Sequence, residues 1–126
     1  EIRMKVHFIE GAPKAVGPYS HAVEHGDTLY VSGQLGLDPV TNALREGVIN
    51  QTKQALENLN TIITGSGFEK RNILKCTVYL KNINDFQSVN EVYEIFMDGH
   101  KPARVAFEVG KLPLDALVEI DAIVGK

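Results

Sequence analysis

Two amphipathic helical segments set among short strands most constrain how this chain can fold. In the segment 48–64 the apolar residues fall on one stripe at a spacing of about 3.6 residues, and Gly65-Ser66-Gly67 supplies a helix end. A second stripe follows Asn84 and Asp85, either of which can cap a helix that runs to about Met97. Because two helices can cover only one face of a sheet, the other face must be buried in another way.

Period-two alternation predicts the strands around these helices. The segment 22–36 is predicted to form a hairpin that turns at His25-Gly26-Asp27-Thr28. Three more strands are predicted at 73–80, 105–109 and 118–124. The predicted order is β-β-α-β-α-β-β, in which the second helix has the length of a parallel crossover. We therefore predict one α+β domain spanning residues 1–126, with a mixed sheet and two helices on one face.

The sheet face away from the helices is predicted to be apolar. Val31, Leu35 and Leu117 are assigned to it, and these side chains are too apolar to leave in water. A sheet with one helical layer and an apolar second face is expected to form an oligomer.

Composition and charge argue against several classes of function. The formal charge is 13 − 16 = −3, so no basic excess favours a nucleic acid as the main partner. The single cysteine, Cys76, alternates with Val78 and Leu80, which indicates a core thiol in a reducing compartment. No apolar run approaches the ~20 residues that span a bilayer.

The N-terminus lacks the apolar segment of a signal peptide. We therefore expect a cytoplasmic protein, with an organellar form also compatible with the sequence. Glu1, Ile2 and Arg3 precede Met4, and we expect Met4 to be the natural start and the three residues before it to be an added remnant.

Two charged residues interrupt apolar strands. Arg104 lies on the strand face opposite Val105, and Glu119 lies between Val118 and Ile120. An arginine there can hold a carboxylate by two parallel hydrogen bonds, and a glutamate can orient and deprotonate a water. A structural ion pair or a solvated edge strand explains the same residues and is the more common case. The residues alone leave both interpretations open.

Three polar or glycine features accompany these charges. Asn90 lies on the apolar stripe of the second helix, so we expect a buried amide whose ordinary role is a helix-to-sheet hydrogen bond. Gly17-Pro18-Tyr19-Ser20 is a rigid turn that presents an aromatic hydroxyl, although ordinary surface turns are commoner. Gly33 lies inside a predicted strand, where glycine often marks a bulge or a close approach to the backbone.

Metal and cofactor motifs are absent from the sequence. His7, His21, His25 and His100 form no ligand set, because even His21 and His25 would be ~13 Å apart along a strand. No phosphate-binding glycine loop or nucleophile elbow occurs. We therefore expect no metal and no cofactor.

Several segments, in order along the chain, resemble motifs of the Rid/YjgF family of reactive intermediate deaminases. The most specific is the strand Pro102-Ala103-Arg104 followed by Glu119, and the Gly-Pro-Tyr turn adds independent weight. The remaining motifs are Tyr30-Val31-Ser32-Gly33-Gln34, Val89-Asn90-Glu91-Val92-Tyr93 and Leu112-Pro113. The resemblance runs from about Ala12 to the C-terminus.

This resemblance implies a YjgF-like, chorismate-mutase-like fold assembled as a homotrimer, with clefts between neighbouring subunits. It implies that Arg104 and Glu119 are catalytic. The substrate-binding residues that it implies are Tyr19, Ser32, Gly33, Asn90 and Ala106. Many members carry a cysteine at the position of Ala106, where the contact is through the backbone. The stretch Asp98-Gly99-His100-Lys101 is shorter than in typical members, which bears on pocket width.

The implied activity is that of a 2-iminobutanoate/2-iminopropanoate deaminase, a hydrolase acting on C=N bonds. Its partner would be the carboxylate of a small 2-imino or 2-oxo acid. Three alternatives stay open: a regulator that binds a 2-oxo acid or amino acid without turnover, a ribonuclease-like inhibitor of translation, and a chaperone-like holdase role that is also claimed within the family. The acidic balance and the lack of a catalytic histidine pair weigh against the second.

Overall fold

The computed structural model describes residues 3–126, so Glu1 and Ile2 of the expected remnant lie outside the described residues. The described chain contains six strands and two α-helices. The strands are β1 Met4–His7, β2 Ala22–His25, β3 Thr28–Leu35, β4 Ile73–Leu80, β5 Ala103–Glu108 and β6 Val118–Gly125, and the helices are α1 Gly47–Gly65 and α2 Phe86–Met97. Short 3-10 turns occupy 70–72, 83–85 and 113–115.

The strands form one mixed sheet in the order β1-β2-β3-β6-β4-β5. Only the pair β4 and β5, joined through α2, is parallel among the described strands, which confirms the predicted crossover. The predicted element order was wrong in omitting β1. That strand has four residues at the sheet edge, and Met4 and Val6 are exposed, so it carries no burial periodicity for a sequence pattern to reveal.

Both helices pack on the same face of the sheet, as predicted. The stripe of α1 is fully buried at Leu59, Ile62 and Ile63. Each such side chain stabilises the fold by about 1.5–3 kcal/mol through apolar burial. After Gly65 the chain turns at Gly67, whose φ is +90°, and the amides of residues 66–68 bond to the last carbonyls of the helix, as the predicted stop requires.

The predicted cap of the second helix is only partly right. Asp85 directly precedes α2, at its N-cap position, but its side chain makes no capping hydrogen bond. Asn82 supplies the cap instead, because its side chain accepts a hydrogen bond from the amide of Asn84 at the start of the preceding 3-10 turn. The extra turn shifts the cap three residues towards the N-terminus.

The prediction that Val31 lies on the open face was wrong, because β3 contains a β-bulge. The register of β3 against β6 shifts between Val31 and Gln34. Before the shift, Val31 pairs with Ala122 on the helical side and is buried; after it, Leu35 pairs with Glu119 on the open face. The bulge therefore places Val31 in the helix-covered core and leaves Leu35 where it was predicted.

Buried amides of α1 hold the segment that follows β3. Asn58 donates hydrogen bonds to the carbonyls of Leu35 (3.1 Å) and Leu37 (2.9 Å). Gly36 lies between them, so close to the backbone of Gln51 that a β-carbon would overlap it. These contacts fix the end of β3 against the helix, which matters because that end forms one side of the cleft described below.

The open face of the sheet remains without a covering layer in the described chain. Tyr30, Val105 and Phe107 are all exposed, by between 42% and 51%. No helix among residues 3–126 is both long enough and apolar enough to cross a membrane.

Candidate functional site

The two charged residues of interest point to opposite faces of the sheet. Residues paired across neighbouring strands share a face, whereas residues an odd number apart on one strand do not. Arg104 of β5 pairs with Cys76 of β4, and Glu119 of β6 pairs with Tyr79. Since 79 − 76 = 3, Arg104 faces the helical layer and Glu119 faces the open side. They cannot form the structural ion pair that the sequence left open.

Arg104 is held by the side chains of α2. Its guanidinium donates a hydrogen bond to the side-chain oxygen of Asn90. The guanidinium carbon also lies 4.9 Å from the ring centre of Tyr93 and 5.4 Å from that of Phe86. Such stacking on aromatic rings orients a guanidinium while leaving its remaining N–H groups free to bind a carboxylate. Ala106 shares the face of Arg104 two residues along β5.

Asn90 differs from its prediction in burial but not in bonding. The side chain is exposed, because Asn90 lies at the margin of the apolar stripe of α2. The strand beneath it, β5, is at the edge of the sheet. The helix-to-sheet hydrogen bond nevertheless forms, with Arg104 as its donor. Asn90 thus fixes the direction of the arginine side chain.

Glu119 lines a cleft of about 570 Å³ on the other side of the sheet. Tyr19, Ser32 and Gly33 line the same cleft. The structure thus brings together four of the residues that the sequence singled out, and it groups Arg104 with Asn90 and Ala106 elsewhere. The residues 98–101 of the short loop do not line this cleft of the described chain.

Gly33 lies against the carboxylate of Glu119. A β-carbon at this position would overlap Oε2 of Glu119, so the predicted close approach of the backbone is confirmed. Gly33 also lies within the bulge of β3, where the ladder to β6 is interrupted. The interruption and the missing side chain together make room for a carboxylate in the middle of the sheet.

Burial raises the pKa of the Glu119 carboxyl, and the nearby charge of Asp121 raises it further. Asp121 is two residues away on the same strand face. Both of its oxygens are held, one by the amide of Thr77 at 3.2 Å and the other by the hydroxyl of Tyr79 at 2.9 Å. A carboxyl with a raised pKa is suited to accept a proton near neutral pH.

The turn at Tyr19 and the side chain of Ser32 are fixed at the cleft edge. The amide of Tyr19 donates a hydrogen bond to the carbonyl of Gly17 at 2.9 Å, and Tyr19 as a residue is 45% exposed. The hydroxyl of Ser32 donates to the carbonyl of Ser20 at 2.7 Å. The Ser32 hydroxyl therefore ties the turn to β3, and the tyrosine ring remains available to a ligand.

Two histidines, His21 and His100, and the cysteine have structural roles. His21 reaches the cleft, but Nε2 contacts the carbonyl of Pro13 and Nδ1 accepts from the amide of Ile9. His100 contacts the carbonyl of Ile73 at 2.8 Å, which anchors the short loop. Cys76 is fully buried, and burial raises the pKa of its thiol to about 11, so it is the predicted core residue. Within residues 3–126 no group of three or more potential ligands could hold a metal ion.

Comparison with known proteins identifies the family. A family model described as Endoribonuclease L-PSP matches residues 9–126. The chain is 48% identical to a 2-iminobutanoate/2-iminopropanoate deaminase of Mus musculus, over 94% of this chain and 89% of that protein. It is 47% identical to a RutC family protein of Pyrococcus horikoshii, over 97% of this chain and 98% of that protein.

The chain belongs to the Rid/YjgF family. Among solved structures it is similar to the YjgF gene product of E. coli, with a TM-score of 0.93 and 38% identity over 97% of this chain and 98% of that one. It is also similar to E. coli TdcF with bound serine, with a TM-score of 0.90 and 37% identity over 95% and 98% of the two chains. The predicted YjgF-like fold is confirmed.

Sequence reasoning missed two features of this Rid/YjgF site, one beside Glu119 and one in the lining of the cleft. The pair of Asp121 and Tyr79 was not singled out, although the spacing of Glu119 and Asp121 already places them on one strand face. Leu114 lines the cleft from a left-handed backbone conformation with a φ of 57°. No sequence signal reveals that conformation, because it usually selects glycine, asparagine or aspartate.

We predict that Asp121→Asn lowers the pKa of Glu119. Removing the neighbouring negative charge makes ionisation of Glu119 easier, while burial, the larger cause, keeps the pKa above its usual value. Carbon-13 NMR titration of glutamate-labelled protein, with Glu119→Gln for assignment, measures the shift. Asp98→Asn, in the loop after α2, is the matched control. An unchanged or higher Glu119 pKa in Asp121→Asn would contradict the electrostatic account.

Proposed function

We propose that this Rid/YjgF protein is an enamine/imine deaminase that hydrolyses 2-iminobutanoate and 2-iminopropanoate to 2-oxo acids and ammonia. The observation that carries the proposal is the combination of an oriented arginine on β5 with a desolvated glutamate in a cleft. The first can bind the carboxylate of the substrate and the second can activate a water. Mammalian relatives that bear this activity in their names support it.

The proposed site is completed by a second copy of the chain. Arg104 and Glu119 face opposite sides of their own sheet, so each needs its counterpart from a neighbour. Arg104 lies on the edge strand β5, and the open face beside Glu119 carries the exposed rings of Tyr30 and Phe107. An edge meeting an apolar face in a ring of copies gives a closed assembly, and we propose the homotrimer expected for the family.

In this arrangement one copy supplies the carboxylate clamp. Arg104 binds the substrate carboxylate by paired hydrogen bonds, Asn90 holds the guanidinium, and the backbone beside Ala106 offers a further contact. The next copy supplies Glu119 with Tyr19, Ser32 and Gly33 around it. The substrate is thereby held between two rigid strands, which brings the C=N carbon to a bound water.

Hydrolysis then needs one proton acceptor and no further co-reactant. Glu119 takes a proton from the water as the water oxygen bonds to the carbon of the protonated imine, which gives a neutral carbinolamine. Glu119 then returns this proton to the amino nitrogen and accepts the hydroxyl proton as the C–N bond breaks and the C=O bond forms, so that ammonia leaves. The raised pKa of Glu119 favours accepting that first proton and returning it in the second step.

A binding regulator is the second candidate. The solved relative with bound serine shows that a similar chain can hold an amino acid. The clamp at Arg104 would serve such a ligand equally well, since amino acids and imino acids share the carboxylate. The desolvated Glu119 favours catalysis over binding alone, because a carboxylate receptor does not need a second, buried carboxylate in its site.

The ribonuclease-like activity receives less support, although the family model carries that name. In residues 3–126 the only histidine that lines the Glu119 cleft is His21, and both of its ring nitrogens are engaged by the backbone. The chain also carries a net charge of −3.

The cytoplasmic setting stays a prediction.

The experiment couples the protein to a threonine dehydratase and threonine, with semicarbazide trapping the imine that survives. We expect the wild type to suppress semicarbazone formation and Arg104→Ala to have lost suppression, because the carboxylate clamp is gone. Glu119→Gln should retain ligand binding and lose turnover by about 100-fold or more. Arg71→Ala, which alters an exposed arginine paired only with its neighbour Glu69, is the control and should match the wild type.

Either of two results would count against the proposal. If wild type fails to suppress the trap but binds 2-oxobutanoate through Arg104, the protein is a binding regulator. If Arg104→Ala hydrolyses as fast as wild type, the assigned clamp is wrong.

We predict that Gly33→Ala lowers turnover by about 100-fold, because displacing a reacting group by ~1 Å has an effect of this size. The new methyl group would occupy the position of the Glu119 carboxylate, which must swing away. Turnover is measured in the same assay, and thermal unfolding reports on stability. Gly110→Ala is the matched control, since a β-carbon there meets no atom within 4 Å. Full activity in Gly33→Ala would show that this close approach has no catalytic consequence.

A further inference from the structure

Leu114 forms part of an apolar wall in the cleft of Glu119. Leu35, Leu37 and Pro113 line the cleft with it, as does Val16, which directly precedes the Gly-Pro-Tyr turn. Leu35 pairs with Glu119 across β3 and β6, so the apolar residues of the lining begin beside this carboxylate. The cleft therefore offers apolar contact next to the group that would activate a water.

The backbone around Leu114 is held in an uncommon conformation. Leu114 has φ 57° and ψ 21°, and Asp115 follows with φ 56°, so two successive residues with side chains are left-handed. Backbone hydrogen bonds from Asp115 to Leu112 and from Ala116 to Pro113 close the turn. Lys81 secures it by an ion pair of 2.9 Å with Asp115.

This conformation is not explained by burial of the leucine in its own chain. Leu114 remains 68% exposed, so the side chain gains little from packing where it stands. Glycine or asparagine would adopt the same backbone with less strain and without exposing an apolar group. A strained, exposed leucine at a cleft is best accounted for by contact with a ligand.

The apolar lining of the cleft indicates which part of a ligand makes that contact. The cleft measures about 570 Å³ in one copy, and the neighbouring copy that brings Arg104 closes part of this space, so the lining and not the volume is the guide. With the reacting carbon at the water on Glu119 and the carboxylate directed to an arginine, the side chain of a 2-imino acid is the group left to contact an apolar wall.

We propose that Leu114 is a specificity-determining residue that selects 2-imino acids with apolar side chains longer than ethyl. This inference rests on the proposed deaminase function and adds a substrate class to it. The wall of Leu35, Leu37 and Leu114 binds the extended side chain, and the turn braced by Lys81 presents Leu114 to it.

The test compares imines of increasing side-chain length. An amino-acid oxidase acting on 2-aminobutyrate, norvaline, leucine and methionine releases the imines, and semicarbazide trapping reports the remainder. We expect wild type to show a higher kcat/KM for the longer apolar imines than for 2-iminobutanoate. Leu114→Asn and Leu114→Gly should lower that ratio by about fivefold or more, as expected for lost apolar contact in a pocket. Leu114→Met should preserve it.

Controls separate this effect from folding and assembly. Ile95→Asn, which removes another exposed apolar side chain at a site outside the cleft, should leave the ratio unchanged. Leu114→Gly should unfold at the same temperature as wild type or higher, because glycine relieves the left-handed strain. The oligomeric mass of each variant is measured by light scattering.

An unchanged ratio in Leu114→Asn and Leu114→Gly would overturn the inference even if the wild type hydrolyses every imine. A change in oligomeric mass would overturn it too, because Leu114 would then serve subunit contact. Absence of wild-type activity on all the imines would instead count against the proposed function itself.

Discussion

The alternation of side chains along β4 is the constraint on which the rest of this structure depends. Cys76 and Tyr79 lie on opposite faces of that strand, and each determines the face of its partner on a neighbouring strand. Arg104 is thereby committed to the helical side, where α2 orients it, and Glu119 to the open side, where a cleft surrounds it. No rotamer change brings these two groups together within one chain, so the proposed chemistry requires assembly.

The second constraint is the placing of a carboxylate inside a sheet. The bulge in β3 and the missing side chain of Gly33 provide the space, and Asp121 adds a negative charge nearby. Asp121 is itself stabilised by Thr77 and Tyr79, so it remains close to Glu119. Desolvation of Glu119 raises the pKa of its carboxyl. A proton acceptor that works near neutral pH needs such a raised pKa.

The parts of the fold that sequence reasoning predicted are those with a regular burial period. The helices, β4 and β6 alternate or repeat against one core, and their bounds were predicted to within about two residues. Val31 was misplaced because a bulge reverses the alternation after it, and a bulge depends on the partner strand. Edge strand β1 and the left-handed Leu114 have no local signal, since tertiary contacts determine both. Arg104 and Glu119 were singled out because a charge in an apolar strand stands out, but only the register of the strands shows that they lie on opposite faces.

The most direct test of the central claim is complementation between inactive variants. Arg104→Ala and Glu119→Gln are co-expressed with different tags, and oligomers that contain both chains are purified and assayed for imine hydrolysis. If each site joins Arg104 of one copy to Glu119 of the next, every trimer that contains both chains has one intact site of three, and activity recovers towards about a third of the wild-type value. Activity that stays at the level of the two inactive parents would contradict a site shared between copies.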